Sequence, residues 1–246
     1  MFQFRDLTIM DISDEKRMVI SCDSAGGIGD KKNDIVKVDP EIIGLYTTQG
    51  PLMELLAQGV KPVCIVDNLG VSMNNTGERL LKGIKRALEP LELEDDVLIT
   101  GSTEENMPVS QTFIGITIIG LIDKSKWRIK KPISGNILVA VGIPLVGDEV
   151  VNYKGKTFST GILLELLDKP YVKDIIPVGS KGIEYEMGIL ARTNHLSYTL
   201  AKEIPIDIKK SAGPSTCGII AMEEEYFETL KDEMDIPMYL IGSLTN

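Results

Sequence analysis

The sequence predicts an α/β (α+β) protein made of two units of similar size, and three observations carry that reading. Short β-branched runs bounded by Gly, Pro, Asn and Ser recur along the 246 residues and read as strands. Longer segments between them place apolar residues at helical spacing. One basic segment, 124–131 (KSKWRIKK), carries five Lys or Arg and reads as a solvated linker or strand edge. It separates units at 1–125 and 132–246.

In the first half, residues 7–11 and 17–23 read as two strands joined by the polar turn Ser13-Asp14-Glu15-Lys16. The second runs into a Gly-rich stretch, 24–32, that can turn backbone N–H groups toward phosphate with Lys31 or Lys32 as a point charge. It is neither a Walker A loop nor a G-x-G-x-x-G turn. Asp39-Pro40 marks a helix start, with Asp as N-cap and Pro at the first helical position. That helix ends at Gly59, and Gly50-Pro51 inside it predicts a kink. Residues 62–69 (PVCIVDNL) read as a strand, and 77–89 as an amphipathic surface helix. The stretch 97–123 reads as an apolar run, an acidic turn over 101–106, and a long β-branched strand.

In the second half, 135–142 reads as a strand and 144–152 as a turn-rich passage. Ser159 N-caps a helix through Leu163 and Leu167. A short strand at 175–178 leads to Gly179-Ser180-Lys181-Gly182, which opens a helix over 183–192 running toward His195. A turn of that kind at a helix N-terminus can hold an anion, or can be an ordinary turn. The alternating segment 204–210 (IPIDIKK) reads as a half-exposed strand. The small-residue loop 211–218 then leads to a strand at 219–222, an acidic helix over 224–234 and a last strand at 237–241.

Composition narrows the chemistry. A formal charge of −10 argues against nucleic acid and anionic membrane surfaces, which require clustered Lys and Arg. The N-terminus has no signal-peptide pattern and no apolar run approaches a membrane span, so the expectation is a cytoplasmic protein. Three dispersed cysteines give neither a disulfide framework nor a CxxC site. Cys217, without a neighbouring His or Cys, reads as a small buried residue. A single histidine, His195, disfavours a zinc site or a Ser-His-Asp triad. Any metal should therefore be hard and oxygen-bound, with Mg²⁺ first.

Two places concentrate carboxylates. Glu54 is the only charge from Ile42 to Val60, and a carboxylate in an apolar helix is costly unless paired or metal-bound. Glu104 and Glu105 lie in a stretch with no Lys or Arg from Val97 to Ile122, so the local potential is negative and suits a cation. They can equally be solvated loop residues.

Four segments in order carry a resemblance: Asp6–Asp11 (DLTIMD); Asp23 with Gly27-Ile28-Gly29-Asp30-Lys31; Glu54-Leu-Leu-Ala-Gln-Gly59-Val-Lys-Pro62; and Gly101-Ser102-Thr103-Glu104. Together they resemble the AIR synthase-like (PurM-like) superfamily over nearly the whole first half. The resemblance implies ATP and Mg²⁺ as cofactors, with Asp6, Asp23, Glu54 and Glu104 as metal residues. Gly27, Gly29, Lys31, Gly101, Ser102 and Thr103 would line the nucleotide. It also implies a small-molecule substrate and a homodimer in which first-unit sheets close a barrel. Lys181, Ser211, Ser215 and Thr216 would lie on the acceptor side, and no general base is identifiable. Within the superfamily, residues 22–29, 101–108 and 211–217 look most like its α-ribazole kinases, which implies phosphorylation of the 5′-hydroxyl of α-ribazole. The alternatives are another ATP-dependent reaction of the superfamily, thiamine-monophosphate-kinase-like or amidine-cyclising, and a nucleotide-binding module without turnover. Two departures stand out: Glu54 and Glu104 occupy positions where Asp is common, and Lys181 replaces an acid.

Overall fold

The computed structural model describes residues 1–92, 96–128 and 130–246, so Ile129 of the basic segment lies outside the described residues. The chain forms two units, Met1–Trp127 and Arg128–Asn246. In the first, the elements run β1 (Phe2–Phe4), β2 (Leu7–Asp11), β3 (Lys16–Gly26), β4 (Ile28–Gly29), β5 (Val36–Lys37), α1 (Pro40–Ala57), β6 (Lys61–Leu69), α2 (Glu78–Leu88), β7 (Leu98–Thr103) and β8 (Phe113–Asp123). Six strands make one sheet in the order β1-β2-β3-β8-β6-β7. All its pairings are antiparallel except β6 with β7. The sheet is open, with β1 and β7 at its edges, and no barrel closes among the described residues.

Strand β8 explains why the sheet has two unlike faces. Ile114, Ile116, Ile118 and Ile122 are buried, whereas the alternate residues are half-buried or exposed, as a period of two requires. α1 packs against β3, β8 and β6, and a Cβ on Gly120 would meet Leu55 of α1 at 2.7 Å. Asp39 caps α1 by accepting the Glu41 N–H at 2.8 Å, with Pro40 following it. The helix continues through Pro51 without a break, so Gly50-Pro51, where a kink is expected, does not divide it into two helices. Pro51 and its neighbours Gln49, Gly50, Leu52 and Met53 are buried, and packing holds this turn where propensity alone would break it.

α1 and α2 approach at two glycines. A Cβ on Gly44 would fall 2.1 Å from the Leu80 carbonyl oxygen, and one on Gly83 would fall 2.0 Å from that of Glu41. Gly83→Ala should therefore destabilise the protein by about 1–3 kcal/mol, the usual range for overpacking, despite alanine's better helix propensity. Urea unfolding checks this, and a variant as stable as the parent would refute close backbone packing.

Two readings of the first unit change. Gly101, Ser102 and Thr103 belong to strand β7, so the acidic turn begins only at Glu104. β1, which pairs with β2, is not legible in the sequence because it is three residues long and mostly exposed.

The second unit comprises β9 (Ile137–Gly142), α3 (Asp148–Asn152), α4 (Thr160–Leu167), β10 (Val172–Pro177), α5 (Ile183–Thr193), β11 (Ser197–Leu200), β12 (Cys217–Met222), α6 (Phe227–Glu233) and β13 (Met238–Thr245). Its five-stranded sheet has the order β10-β12-β9-β13-β11, with every pairing antiparallel. β9 and β12 are buried throughout. Leu138, Ile219 and Ile241 from the sheet join Met187 and Leu190 from α5 in one core. Ser159 caps α4 by accepting the Ile162 N–H at 3.3 Å.

The segment 204–210 is not a strand. Ile204, Ile206 and Ile208 pack on the core as partly buried residues, so their alternation reports a half-buried extended segment without a ladder partner, and Pro205 cannot donate to a ladder in any case. The edge strand is β11 instead.

Candidate functional site

On the first-unit sheet, Asp23 of β3 and Asp67 of β6 both stand opposite Ile116 of β8. Directly opposed residues share a face, so the two carboxylates flank Ile116 in one row on the helix-covered side, about 10 Å apart by strand spacing. Asp67 is 3 % exposed, and burial raises its pKa above the ordinary carboxylate value, partly offset by its own backbone N–H. Gly101 of β7 is next in the row. A Cβ there would lie 1.9 Å from the Asp67 carbonyl oxygen and 2.5 Å from Oδ1, so this glycine makes room for Asp67.

Asp23 is exposed as a residue, yet loss of water around its carboxyl raises its pKa, against the lowering effect of the Ser24 N–H it accepts at 2.8 Å. Two residues earlier, the buried Ser21 donates its hydroxyl to Glu54 of α1. The same helix-covered face thus gathers Asp23, Asp67 and Glu54 in neighbouring rows. Asp6 sits in the exposed turn before β2, and the register Thr8 opposite Ile20 carries it level with Cys22. Among the described residues, no three His, Cys, Asp or Glu side chains converge as a ready-made metal cluster.

The Gly-rich segment is latched by Asp34. This buried carboxylate accepts the Thr112 N–H at 2.7 Å, the Thr112 hydroxyl at 2.8 Å and the Lys31 N–H at 2.9 Å. Gly29 is required by the latch: a Cβ would lie 2.3 Å from Thr112 Oγ1 and 2.5 Å from Asp34 Oδ2. Gly27 has φ of 72° and donates its N–H to the Thr112 carbonyl. Asp30, at the end of the stretch, pairs with Arg79 of α2, which also reaches Asp39 at 3.4 Å. The loop is therefore fixed from three sides, with Lys31 half-buried on it.

The acidic turn is also tied into backbone. Glu104 Oε1 accepts the N–H groups of Asn106 at 2.7 Å and Met107 at 3.0 Å. Glu105 Oε1 accepts from Met73 N–H at 2.8 Å and from the Thr103 hydroxyl at 2.7 Å, which lower its pKa. Ser102 is exposed on β7.

In the second unit, Lys181 donates to the Tyr185 hydroxyl at 3.1 Å and lies 4.4 Å from that ring's centroid. Ser211 accepts the Gly213 N–H at 3.4 Å, and Ser215 has φ of 57°. Thr216 is fully buried; its hydroxyl donates to the Ile143 carbonyl and accepts the Leu145 N–H, each at 2.9 Å, a structural commitment. Burial pushes the Cys217 thiol up to about 12, which fits an inert core residue. His195 is an exposed residue at φ 58°, just past α5.

Asp67 is the site residue that sequence reasoning missed. The signal was present: a lone carboxylate in the apolar run PVCIVDNL raises the same question as Glu54.

Residues 4–122 match the family described as AIR synthase related protein, N-terminal domain. No curated protein matches the sequence. Among solved structures, thiamine-monophosphate kinase from Stenotrophomonas maltophilia is 12% identical with a TM-score of 0.64, covering 98% of this chain and 89% of that one. E. coli HypE, a hydrogenase maturation protein, is 15% identical with a TM-score of 0.65, covering 92% of this chain and 80% of its own. T. maritima PurL complexed with ADP is 13% identical with a TM-score of 0.64; all of this chain is covered, but only 42% of the PurL chain. Residues 4–122 thus match the AIR synthase related N-terminal domain, and the chain shares the α/β fold of these solved structures.

Proposed function

We propose that this chain is an AIR synthase-like, ATP-using enzyme that transfers phosphoryl from Mg·ATP to the hydroxyl of a small molecule. The observation that carries the reading is the row Asp23, Ile116, Asp67 on the helix-covered face. It presents two carboxylates, Asp67 buried and Asp23 exposed as a residue, both with pKa raised by desolvation and neither with a salt bridge to a described residue. Hard oxygen donors without a cationic partner suit Mg²⁺. Structures of thiamine-monophosphate kinase and of PurL with ADP and ATP share the fold, which supports a nucleotide ligand.

In this reading Asp23 and Asp67 each bind Mg²⁺ at its own end of the row, directly or through the water that Mg²⁺ retains, with Glu54 on the same face and Glu104 and Asp6 as further carboxylate candidates. The metal would neutralise charge on the transferring phosphoryl group. Gly27, Gly29 and Lys31 approach the phosphates from a loop that Asp34 holds rigid, and rigidity is what positioning requires. Gly101, Ser102 and Thr103 flank Asp67 on β7. Ser211, Ser215 and Lys181 remain acceptor-side candidates. Residues 22–29, 101–108 and 211–217 support α-ribazole as the first acceptor to try, giving its 5′-phosphate. The half-exposed outer face of β8, with Phe113 47 % exposed, supports a homodimer built on this sheet.

The test is transfer from γ-labelled ATP with Mg²⁺ to α-ribazole, thiamine monophosphate or no acceptor, with products identified by mass. Label on α-ribazole alone supports the full reading. Label on another acceptor keeps the enzyme and replaces the substrate. Nucleotide binding without transfer to any acceptor would favour a non-catalytic module, a reading that the backbone commitments of Glu104 encourage.

A further inference from the structure

The outward face of α5 carries a chemistry that the ATP site does not use. Its inward residues Ile183, Met187 and Leu190 enter the second-unit core; Tyr185, Gly188 and Arg192 follow one another at helical spacing on another side, and Lys181 lies in the turn just before the helix. Together with Glu184, Tyr198 of β11 and Lys209, these last four line a surface pocket of about 380 Å³, within the range of small-molecule sites.

Gly188 keeps the pocket open. It is a buried glycine in the middle of a helix, where alanine would be the more stable residue. A Cβ at this position would lie 3.2 Å from Arg192 Nη1 and 3.9 Å from Tyr198 Cε1, so a side chain here would press on the guanidinium and displace it from its place in the pocket. The Arg192 guanidinium has no hydrogen bond or ion pair to a described residue, while its carbonyl accepts the His195 N–H at 3.1 Å.

The charge is local and of the opposite sign to the chain. Lys181, Arg192 and Lys209 face a single acid, Glu184, which Lys209 approaches at 3.8 Å. The pocket thus carries a formal +2 in a protein of formal charge −10. Lys181 is steered over the Tyr185 ring, and Tyr185 is 41 % exposed. A guanidinium with two ammonium groups is suited to phosphate, and tyrosine rings at the rim are suited to the flat face of an attached ring.

We infer that this pocket binds a small phosphate-bearing anion through Arg192, Lys209 and Lys181, with Gly188 as its floor. The inference shares Lys181 with the acceptor-side candidates of the ATP-using reading, but Arg192, Lys209 and Gly188 have no part in that reading, so the pocket can bind an anion whether or not the chain uses ATP.

Calorimetric titration of the full chain, without ATP or Mg²⁺, tests it with inorganic phosphate, phenyl phosphate and phenol as probes. Binding of either phosphate probe, weakened at least tenfold by Arg192→Gln and also by Gly188→Ala, is the expected result, with phenol silent. Equal affinity for both probes identifies free phosphate as the ligand, and tighter binding of phenyl phosphate identifies an ester. Asp67→Asn should leave this binding unchanged. Rising salt should weaken it. Absence of binding at millimolar probe, or binding indifferent to both variants while their melting matches the parent, would overturn the proposal.

Discussion

Asp67→Asn is expected to make the protein more stable and to weaken Mg·ATP binding at least tenfold. The two effects share a cause. Burial holds the folded-state pKa of Asp67 above its unfolded value, so between the two values the folded state binds more protons, and stability falls as pH rises through that window. At neutral pH the charged carboxylate therefore costs stability, and the isosteric amide removes that cost while preserving the fit over Gly101. A gain of about 0.5–2 kcal/mol is the usual size of a single stabilising substitution. The parent should also gain stability as pH falls through the folded pKa of Asp67, and the variant should show less of that gain. A destabilised variant, or an unchanged pH slope, would mean that Asp67 is a structural carboxylate with a partner.

Asp34→Ala should act in the opposite sense, destabilising the first unit by roughly 3 kcal/mol and lowering nucleotide affinity. Three donors lose their acceptor: Thr112 N–H, Thr112 hydroxyl and Lys31 N–H. Each buried donor left unsatisfied costs about 1–3 kcal/mol, with water recovering part of it at the loop surface. Asp34→Asn, which retains one carbonyl oxygen, should lose less. Hydrogen exchange at Lys31 and Thr112 would localise the effect. Protection at those amides equal to that in the parent would show that the loop does not depend on this latch.

The acidic residues divide between what sequence can and cannot reveal. Glu54 was legible because one charge in an apolar helix demands a partner, and Ser21 supplies one. Asp67 poses the same question in a strand, but its importance depends on a register: only pairing of both β3 and β6 with β8 places it beside Ile116 opposite Asp23. The glycines show the converse limit. Gly29 and Gly101 read as phosphate-loop residues, whereas the structure gives each a packing reason, against Thr112 and Asp67 respectively. Helix starts at Asp39 and Ser159 were readable from capping chemistry alone. Alternation misled at 204–210, because it reports which side is buried and not whether a neighbouring strand is present. The pocket on α5 was invisible for a similar reason, since Tyr198 and Lys209 reach it from outside the helix.

The most direct test of the central claim is the affinity of the chain for a fluorescent ATP analogue, measured with and without Mg²⁺ in the parent, Asp23→Asn and Asp67→Asn. Mg²⁺-dependent binding that weakens at least tenfold in both variants, each of which remains folded, is the expected result. Binding that ignores Mg²⁺, or that survives both substitutions unchanged, would contradict it.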